Sequence, residues 1–399
     1  MQAGSNRGSG SRREVFLVAL RLGLTSFGGP IAHLGYLRRE YVTRRGWLDE
    51  TAYADLVALT QLLPGPSSSQ LGIAIGTRRA GMLGGLSAWL GFTLPSAVIL
   101  TAFGLVTASA DLSTAGWVHG LKLAAVAVVA QAVWAMSRTL TPDWPRRIVA
   151  VIAAVVALAW TTPFAQVAII VGGAAVGRSL LARPSVTVTG PEPSPVSRRV
   201  GVASMAVFVG LLLILPLLRA VGGQSVALFE GFYRSGALVF GGGHVVLPLL
   251  HATVVDPGWV SDDRFLAGYG AAQAVPGPLF TFAAYLGAVS IPAPNGIPGA
   301  TIALVAIFLP SFLLIFGALA FWDPLRASNA VRRALVGANA AVVGILLAAL
   351  YIPVWTSAVD APIDVAIAGV GLALLLTGRA PPVAVVGLCA LAGQAVAAM

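Results

Sequence analysis

One pattern limits what this chain can fold into: a series of helix breakers, set in apolar stretches, occurs twice in the same order. Phe27-Gly28-Gly29-Pro30 is followed by Gln61, by Pro64-Gly65-Pro66 and then by Leu94-Pro95-Ser96. The series returns as Phe240-Gly241-Gly242-Gly243, Gln273 with Pro276-Gly277-Pro278, and Leu309-Pro310-Ser311, at offsets of 213, 212 and 215. Gly46-Trp47 and Gly258-Trp259 hold the same register between them. Four groups in one order at one period mark an internal duplication. Gly and Pro inside apolar runs loosen the chain or remove its backbone hydrogen bonds, so each half is expected to carry broken helices.

Composition decides the solvent. With 57% hydrophobic and 10% charged residues, the chain has too little polar surface to coat a soluble globule. Runs near the roughly 20 residues that cross a bilayer core then imply an all-α polytopic membrane protein and exclude a barrel. A net charge of +10 fits arginine-rich cytoplasmic loops as well as an anion carrier, and it names no partner. The single cysteine, Cys389, excludes an internal disulfide. Residues 1–13 carry no apolar signal-peptide core and read as a disordered cytoplasmic tail.

Loop charges give the orientation. The first repeat is expected over residues 14–183, a Pro-rich cytoplasmic linker over 184–199, a connecting transmembrane helix over 200–219, and the second repeat over 220–399. Arg38, Arg39, Arg44 and Arg45 crowd the first loop of one half. The matching loop of the other half holds Asp256, Asp262 and Asp263 with one arginine, Arg264. That reversal, together with the unpaired connecting helix, predicts two inverted repeats. Around the first Phe-Gly-Gly the apolar arms reach about 20 and 10 Å, which allows a re-entrant hairpin or a tilted crossing. The hairpin, which keeps the four-arginine loop inside, gives four crossings per half with the N-terminus inside; full crossings would keep the inversion but put that loop outside.

In such architectures freed backbone amides at broken helices bind anions with help from the helix dipole. Candidate substrate-binding positions are therefore Phe27, Gly28, Gly29 and Pro30 with Phe240, Gly241, Gly242 and Gly243, and the turns Pro64, Gly65, Pro66 and Pro276, Gly277, Pro278, preceded by Gln61 and Gln273. Ser67 and Ser68 add hydroxyls in the first half, whereas Leu279 and Phe280 stand there in the second. Arg21 and Arg234 precede the two Phe-Gly-Gly motifs by six residues; they serve the anion, snorkel to headgroups, or pair with Glu14 and Glu230. Lys122 is a further intramembrane cation, aligned by the repeat with Asn339. His33 and His244 follow the breaks but do not align with each other; each is either structural or handles substrate or protons. Glu40, Asp55 and Glu230 are the remaining proton-carrier candidates. No nucleotide loop, metal-ligand cluster or nucleophile–base set occurs, so no cofactor and no catalysis are expected, and an ion gradient or the membrane potential would supply the energy.

The Phe-Gly-Gly-Pro with His33, the Arg38/Glu40 to Trp47 stretch, the paired Gln-x-x-Pro-Gly-Pro turns and the Phe-Gly-Gly-Gly-His with Pro248 together resemble the chromate ion transporter family in its long, two-domain form. The resemblance covers residues of about 15–180 and 225–398, and Gly243 in place of a proline departs from it. It implies chromate export across a bacterial-type cytoplasmic membrane, and hence chromate resistance. A sulfate or other oxyanion carrier, a passive channel and an integral-membrane enzyme are the alternatives. A lipid bilayer is the implied surroundings, nucleic acid is not a partner, and a homodimer is compatible with the sequence.

Overall fold

The computed structural model describes residues 10–27, 29–108, 115–160, 163–180, 194–239, 245–321 and 328–398. All regular structure among them is helical. In the first half α1 (Arg12–Thr25) and α2 (Gly29–Arg38) flank the Phe-Gly-Gly break, and a π-helical turn (Arg39–Arg44) leads to α3 (Glu50–Leu62). Then follow α4 (Ser67–Ala108), α5 (Gly116–Leu140), α6 (Trp144–Ala159) and α7 (Pro163–Leu180). α8 (Arg198–Arg219) joins the halves. The second half runs α9 (Gly223–Leu238), α10 (Val246–Val254), α11 (Asp262–Ala274), a 3-10 turn (Leu279–Thr281) and α12 (Phe282–Val289). It ends with α13 (Gly296–Ala320), α14 (Asn329–Ala349), α15 (Pro362–Leu376) and α16 (Pro382–Ala397).

Local chemistry sets the boundaries. Ser11 accepts from Arg13 N–H and starts α1 at Arg12, two residues inside the expected tail, while Gly10 N–H donates to Arg79 O. Asp49 caps α3 through Ala52 N–H, and Ser197 caps α8 through Val200 N–H. α4 is two helices in one: Ala80 and Gly81 leave helical geometry, with Gly81 at φ 70°, so a short helix ends at the expected Arg78-Arg79 and a long one follows.

Among the described residues five helical stretches are long and apolar enough to cross a membrane: α4, α5, α8, α13, and α14 with the turn that follows it. α8 buries only Gly201, Ser204 and Leu215 and exposes Val202, Val207, Leu213 and Leu217, which suits a helix surrounded by acyl chains.

In lipid, apolar side chains gain little by leaving their surroundings, so close backbone approach has to hold helices together. Small residues provide it here. Gly23 of α1 lies on the Gly91 and Phe92 carbonyls of α4, and its repeat counterpart Gly236 of α9 lies on the Ile307 carbonyl of α13. Further along, Gly173 and Gly177 of α7 abut Gly337 of α14, while Gly116 and Gly120 of α5 abut Cys389 and Gly393 of α16. This second set crosses between the halves. α5 lies against α15 and α16, and its counterpart α14 lies against α6 and α7, the counterparts of α15 and α16. Each half thus packs its last two helices on the other, and a single core mixes Leu100, Leu123 and Val129 with Phe232, Phe280 and Phe308.

Candidate functional site

The helix breakers of the two halves meet. Gly65 N–H, in the first Pro-Gly-Pro turn, donates to Val239 O, one residue before the second Phe-Gly-Gly, at 2.7 Å. Gly277 N–H, in the second Pro-Gly-Pro turn, donates to Ser26 O, one residue before the first Phe-Gly-Gly, at 3.0 Å. The flanking prolines hold these turns, and the glycines sit at φ 125° and 109°, where a side chain is strained. Leu-Pro-Ser completes the exchange: Ser311 Oγ of the second half faces Gly65, and Ser96 Oγ of the first faces Gly277. Three elements from each half therefore close one junction.

On the first-half side the junction is rich in donors. The first intrahelical bond of α4 runs from Gln70 N–H to Pro66 O, so the Ser67, Ser68 and Ser69 amides lead the helix without intrahelical acceptors. Ser67 Oγ donates to Thr60 O, and Gln70 Nε2 donates to Pro64 O at 2.6 Å, bracing the turn. Ser68 Oγ lies 3.3 Å from His33 Nδ1. His33 is 1% exposed, and its Nε2 lies 3.1 Å from Ser26 O. A carbonyl only accepts, so Nε2 carries hydrogen and Nδ1 of the neutral ring accepts from Ser68. Ser26 Oγ, Ser69 Oγ, Gln70 Oε1, Thr93 Oγ1, Gln273 Nε2 and Ser311 Oγ are buried and have no hydrogen-bond partner among the described residues.

The corresponding start in the second half is closed on itself. Leu279 and Phe280 are buried apolar residues, Thr281 N–H donates to Pro278 O at 3.0 Å, and Thr281 Oγ1 donates to the same carbonyl at 2.8 Å. Ser69, the repeat counterpart of Thr281, makes neither bond.

None of the charged candidates takes part in the described hydrogen bonds of the junction. Arg21 is exposed on the face of α1 that carries Leu17 and Leu24, opposite the buried Val15, Val18, Ala19 and Leu22. Arg234 meets Glu230 at 2.8 Å, and Arg219 meets the other oxygen of that carboxylate at 3.0 Å, so the pairing considered from sequence is the one adopted. Lys122 Nζ donates to Asp263 Oδ1 at 2.9 Å and to Ser357 O at 3.1 Å. Asp263 starts α11, about 15 Å along that helix from Gln273, so the Lys122 charge is remote from the junction. Asn339 has a buried, unpartnered Oδ1 on α14 and no hydrogen bond to Lys122. Asp55 is half-buried on α3. Gly28, Phe240, Gly241, Gly242, Gly243 and His244 lie outside the described residues, as does the side chain of Pro30, whereas Phe27 is half-buried and Gly29 opens α2 at φ 78°.

At the loop ends the repeats use different chemistry for one task. Arg38 grips Glu50 with two bonds of 2.8 and 2.6 Å, which holds the Glu50 carboxyl below its usual range. At the equivalent positions His251 meets Asp262 at 2.7 Å and Asp256 at 3.4 Å. Burial opposes the charged imidazole, but the bonds to both aspartates outweigh it and raise His251, while Asp262 is lowered by the bond from His251. Glu40 is bound by Arg44 at 3.2 Å and Arg45 at 2.7 Å; burial works against its charge, yet these bonds keep it ionised, which disfavours a proton-carrying role. Arg45 and Arg79 also cover the face of Trp47, which stacks on Tyr41.

Sequence reasoning had no signal for Ser26, Ser69 and Ser311 as members of the junction. Ser311 stood in view only as part of the repeated Leu-Pro-Ser.

Comparison with known proteins agrees with this layout. The chromate transporter family model matches residues 13–178 and 226–394, one stretch per repeat. The chromate transport protein of Pseudomonas aeruginosa is 29% identical over 347 residues, 84% of this chain and 79% of the relative. The probable chromate transport protein of Synechococcus elongatus is 31% identical over 315 residues, 76% and 75% of the two chains. That of Cupriavidus metallidurans is 27% identical over 378 residues, 91% and 88%. No solved structure matches. With its apolar helices and these bacterial relatives, the chain is a multi-pass protein of the bacterial inner membrane, and it belongs to the chromate transporter family.

Proposed function

We propose that this chain is a secondary transporter that exports chromate, or a closely similar tetrahedral oxyanion, and so confers chromate resistance. The observation that carries the reading is the start of α4: three leading amides, the Ser68 hydroxyl and the buried Ser26, Ser69 and Ser311 hydroxyls gather where the halves meet. Donors at a helix N-terminus stabilise an oxyanion without a fixed cation, through hydrogen bonds and the helix dipole. Gln273 adds an unpartnered Nε2 donor from the second half.

The Phe-Gly-Gly glycines stay anion-binding candidates from the sequence in this reading, and Arg21, Arg234 and Lys122 contribute to the positive field along the path more than to contact. The halves are inverted repeats with boundaries at 14–183 and 220–399. Reversed loop charges support this, and so does the reciprocal exchange of turn and break. α1 and α2 have 14 and 10 residues, about 21 and 15 Å, each short of a bilayer core of about 30 Å, which supports a re-entrant hairpin. Alternating access then consists of the two halves rocking about the junction, with proton or anion exchange as the driving force.

Everted membrane vesicles containing the protein should accumulate labelled chromate under an imposed pH gradient or potential. No accumulation under either would refute transport. Competition by sulfate and molybdate fixes the oxyanion: sulfate at least as effective as chromate would transfer the assignment to a sulfate carrier.

A further inference from the structure

His33 and Ser68 form a two-atom relay beside the helix start, and its direction depends on one proton. The Nε2–H is held by Ser26 O, the carbonyl that also receives Gly277 N–H from the other half. Only Nδ1 is variable. While it is bare it accepts the Ser68 hydrogen, and Ser68 can then offer an incoming group nothing but lone pairs. Once Nδ1 carries a proton it donates to Ser68 Oγ instead, and the hydroxyl hydrogen is released to point at an anion.

The surroundings favour that change when an anion arrives and oppose it otherwise. The ring is buried, meets Phe92 in a T-shaped contact at 5.4 Å, and hydrogen-bonds to Ser26 at the end of α1 and to Ser68 in the first turn of α4. Among the described residues no charged side chain acts on it; Arg38, further along α2, turns to Glu50. A buried imidazolium without a counter-ion is costly, and a dianion one hydroxyl away supplies the counter-ion. Binding of the two is therefore linked, each strengthening the other.

We propose that His33 is a positioning residue that takes up a proton when the oxyanion binds, by turning Ser68 from acceptor to donor. The proton comes from solvent and ends on Nδ1, the Ser68 O–H rotates, and no bond of the anion breaks. This rests on the reading of the α4 start as the oxyanion site, and it adds to that reading a proton taken up with the anion, not exchanged for it, and the residue that holds it.

The test is proton uptake on chromate binding by the purified, detergent-solubilised protein. A pH-indicator dye in weak buffer reports it, at a pH where chromate is already the dianion, with binding followed separately by equilibrium dialysis of labelled chromate. The wild-type protein should take up protons as chromate binds. His33→Gln, which keeps a donor for Ser26 O and an acceptor for Ser68 but cannot take a proton, should bind on the order of tenfold more weakly with no uptake. Ser68→Ala, which leaves the His33–Ser26 bond intact, should lose most of the uptake and decides the matter if His33→Gln fails to insert. Chromate binding without proton uptake in the wild type overturns the relay, as does full uptake in His33→Gln or Ser68→Ala. If the wild type binds no chromate at all, the fault lies with the substrate reading and not with the relay alone.

Discussion

Replacing Gly65 by alanine tests whether the junction holds the halves together. Its φ of 125° lies where only glycine rests without strain, which costs an alanine about 1–3 kcal/mol. The new methyl would also meet Gln70 Nε2, and it would stand 2.9 Å from Ser311 Oγ, so the turn has to shift. Shifting it breaks the Gly65–Val239 bond, worth about 0.5–1.5 kcal/mol net. Together these come to roughly 2–4 kcal/mol. For a chain of this size that lowers the apparent unfolding temperature by roughly 2–5 °C, using the usual entropy per residue. Gly277→Ala should behave alike, because its φ is 109° and Ser96 Oγ lies 2.8 Å from the added carbon. The double variant should lose less than the sum, since the two bonds close one junction. Gly210→Ala is the control: nothing lies within 4 Å of it, and in the middle of α8 alanine should be neutral or stabilising by about 0.5–1 kcal/mol. Thermal unfolding in detergent, with vesicle transport alongside, gives both readouts. Wild-type unfolding temperature and transport in Gly65→Ala and Gly277→Ala would refute the claim that these turns bind the halves.

The loop staples should differ in pH response. The folded pKa of His251 is raised above its ordinary 6.5, so its stabilisation is full below 6.5 and fades as pH climbs through the raised value; Asp262 is lowered below 3.8, so its share is present above 3.8 and lost on acidification through the lower value. His251→Arg should remove the alkaline fade in a pH series of unfolding temperatures, and an unchanged fade would exclude His251 as its source. Glu230→Gln leaves Arg219 and Arg234 without their shared carboxylate and should destabilise by about 1–3 kcal/mol, measured by thermal unfolding, whereas Arg234→Gln keeps the Arg219 pair and should cost less. Gly337→Leu should sharply reduce the amount of folded protein in the membrane, assayed by size-exclusion profile, because Gly173 and Gly177 leave no room for a side chain.

Breakers and caps act over a few residues, which is why they were legible in the sequence. The start of α3, the break between Arg79 and the long arm of α4, and the Pro-Gly-Pro turns all follow from local chemistry at Asp49, Gly81 and Gly65, whereas the start of α1 at Ser11 falls two residues inside the expected tail. A fixed offset identifies equivalent residues, but it does not say which of them touch. Nothing in the period of 212 distinguishes a Gly65 bonded within its own half from one bonded to Val239. Arg21 and Arg234 show the same gap. Both precede a Phe-Gly-Gly by six residues, yet one lies on the exposed face of its helix and the other is claimed by Glu230, which has no counterpart at the equivalent position of the first half. The contact between His33 and Ser68 joins residues 35 apart through a break, where neither helical nor strand periodicity carries information.

The duplicated scaffold and the unduplicated chemistry answer different demands. Reciprocal bonds, Gly65 to Val239 and Gly277 to Ser26, give the two halves equivalent grips on each other. A carrier that rocks between two states of similar energy needs such grips, because one weak side would hold it in a single state. Under the proposed function a small dianion demands the opposite, since it would sit at one helix start and gain nothing from a second site sharing its charge. Divergence has gone where the bonds do not: Ser67, Ser68 and Ser69 face Leu279, Phe280 and Thr281 in the alignment, and His33 faces Val246. Self-satisfaction of Thr281 by Pro278 would then keep the second half's helix start from competing for the anion. In the proposed function symmetry is thus retained where the halves rock, and lost where the substrate binds once.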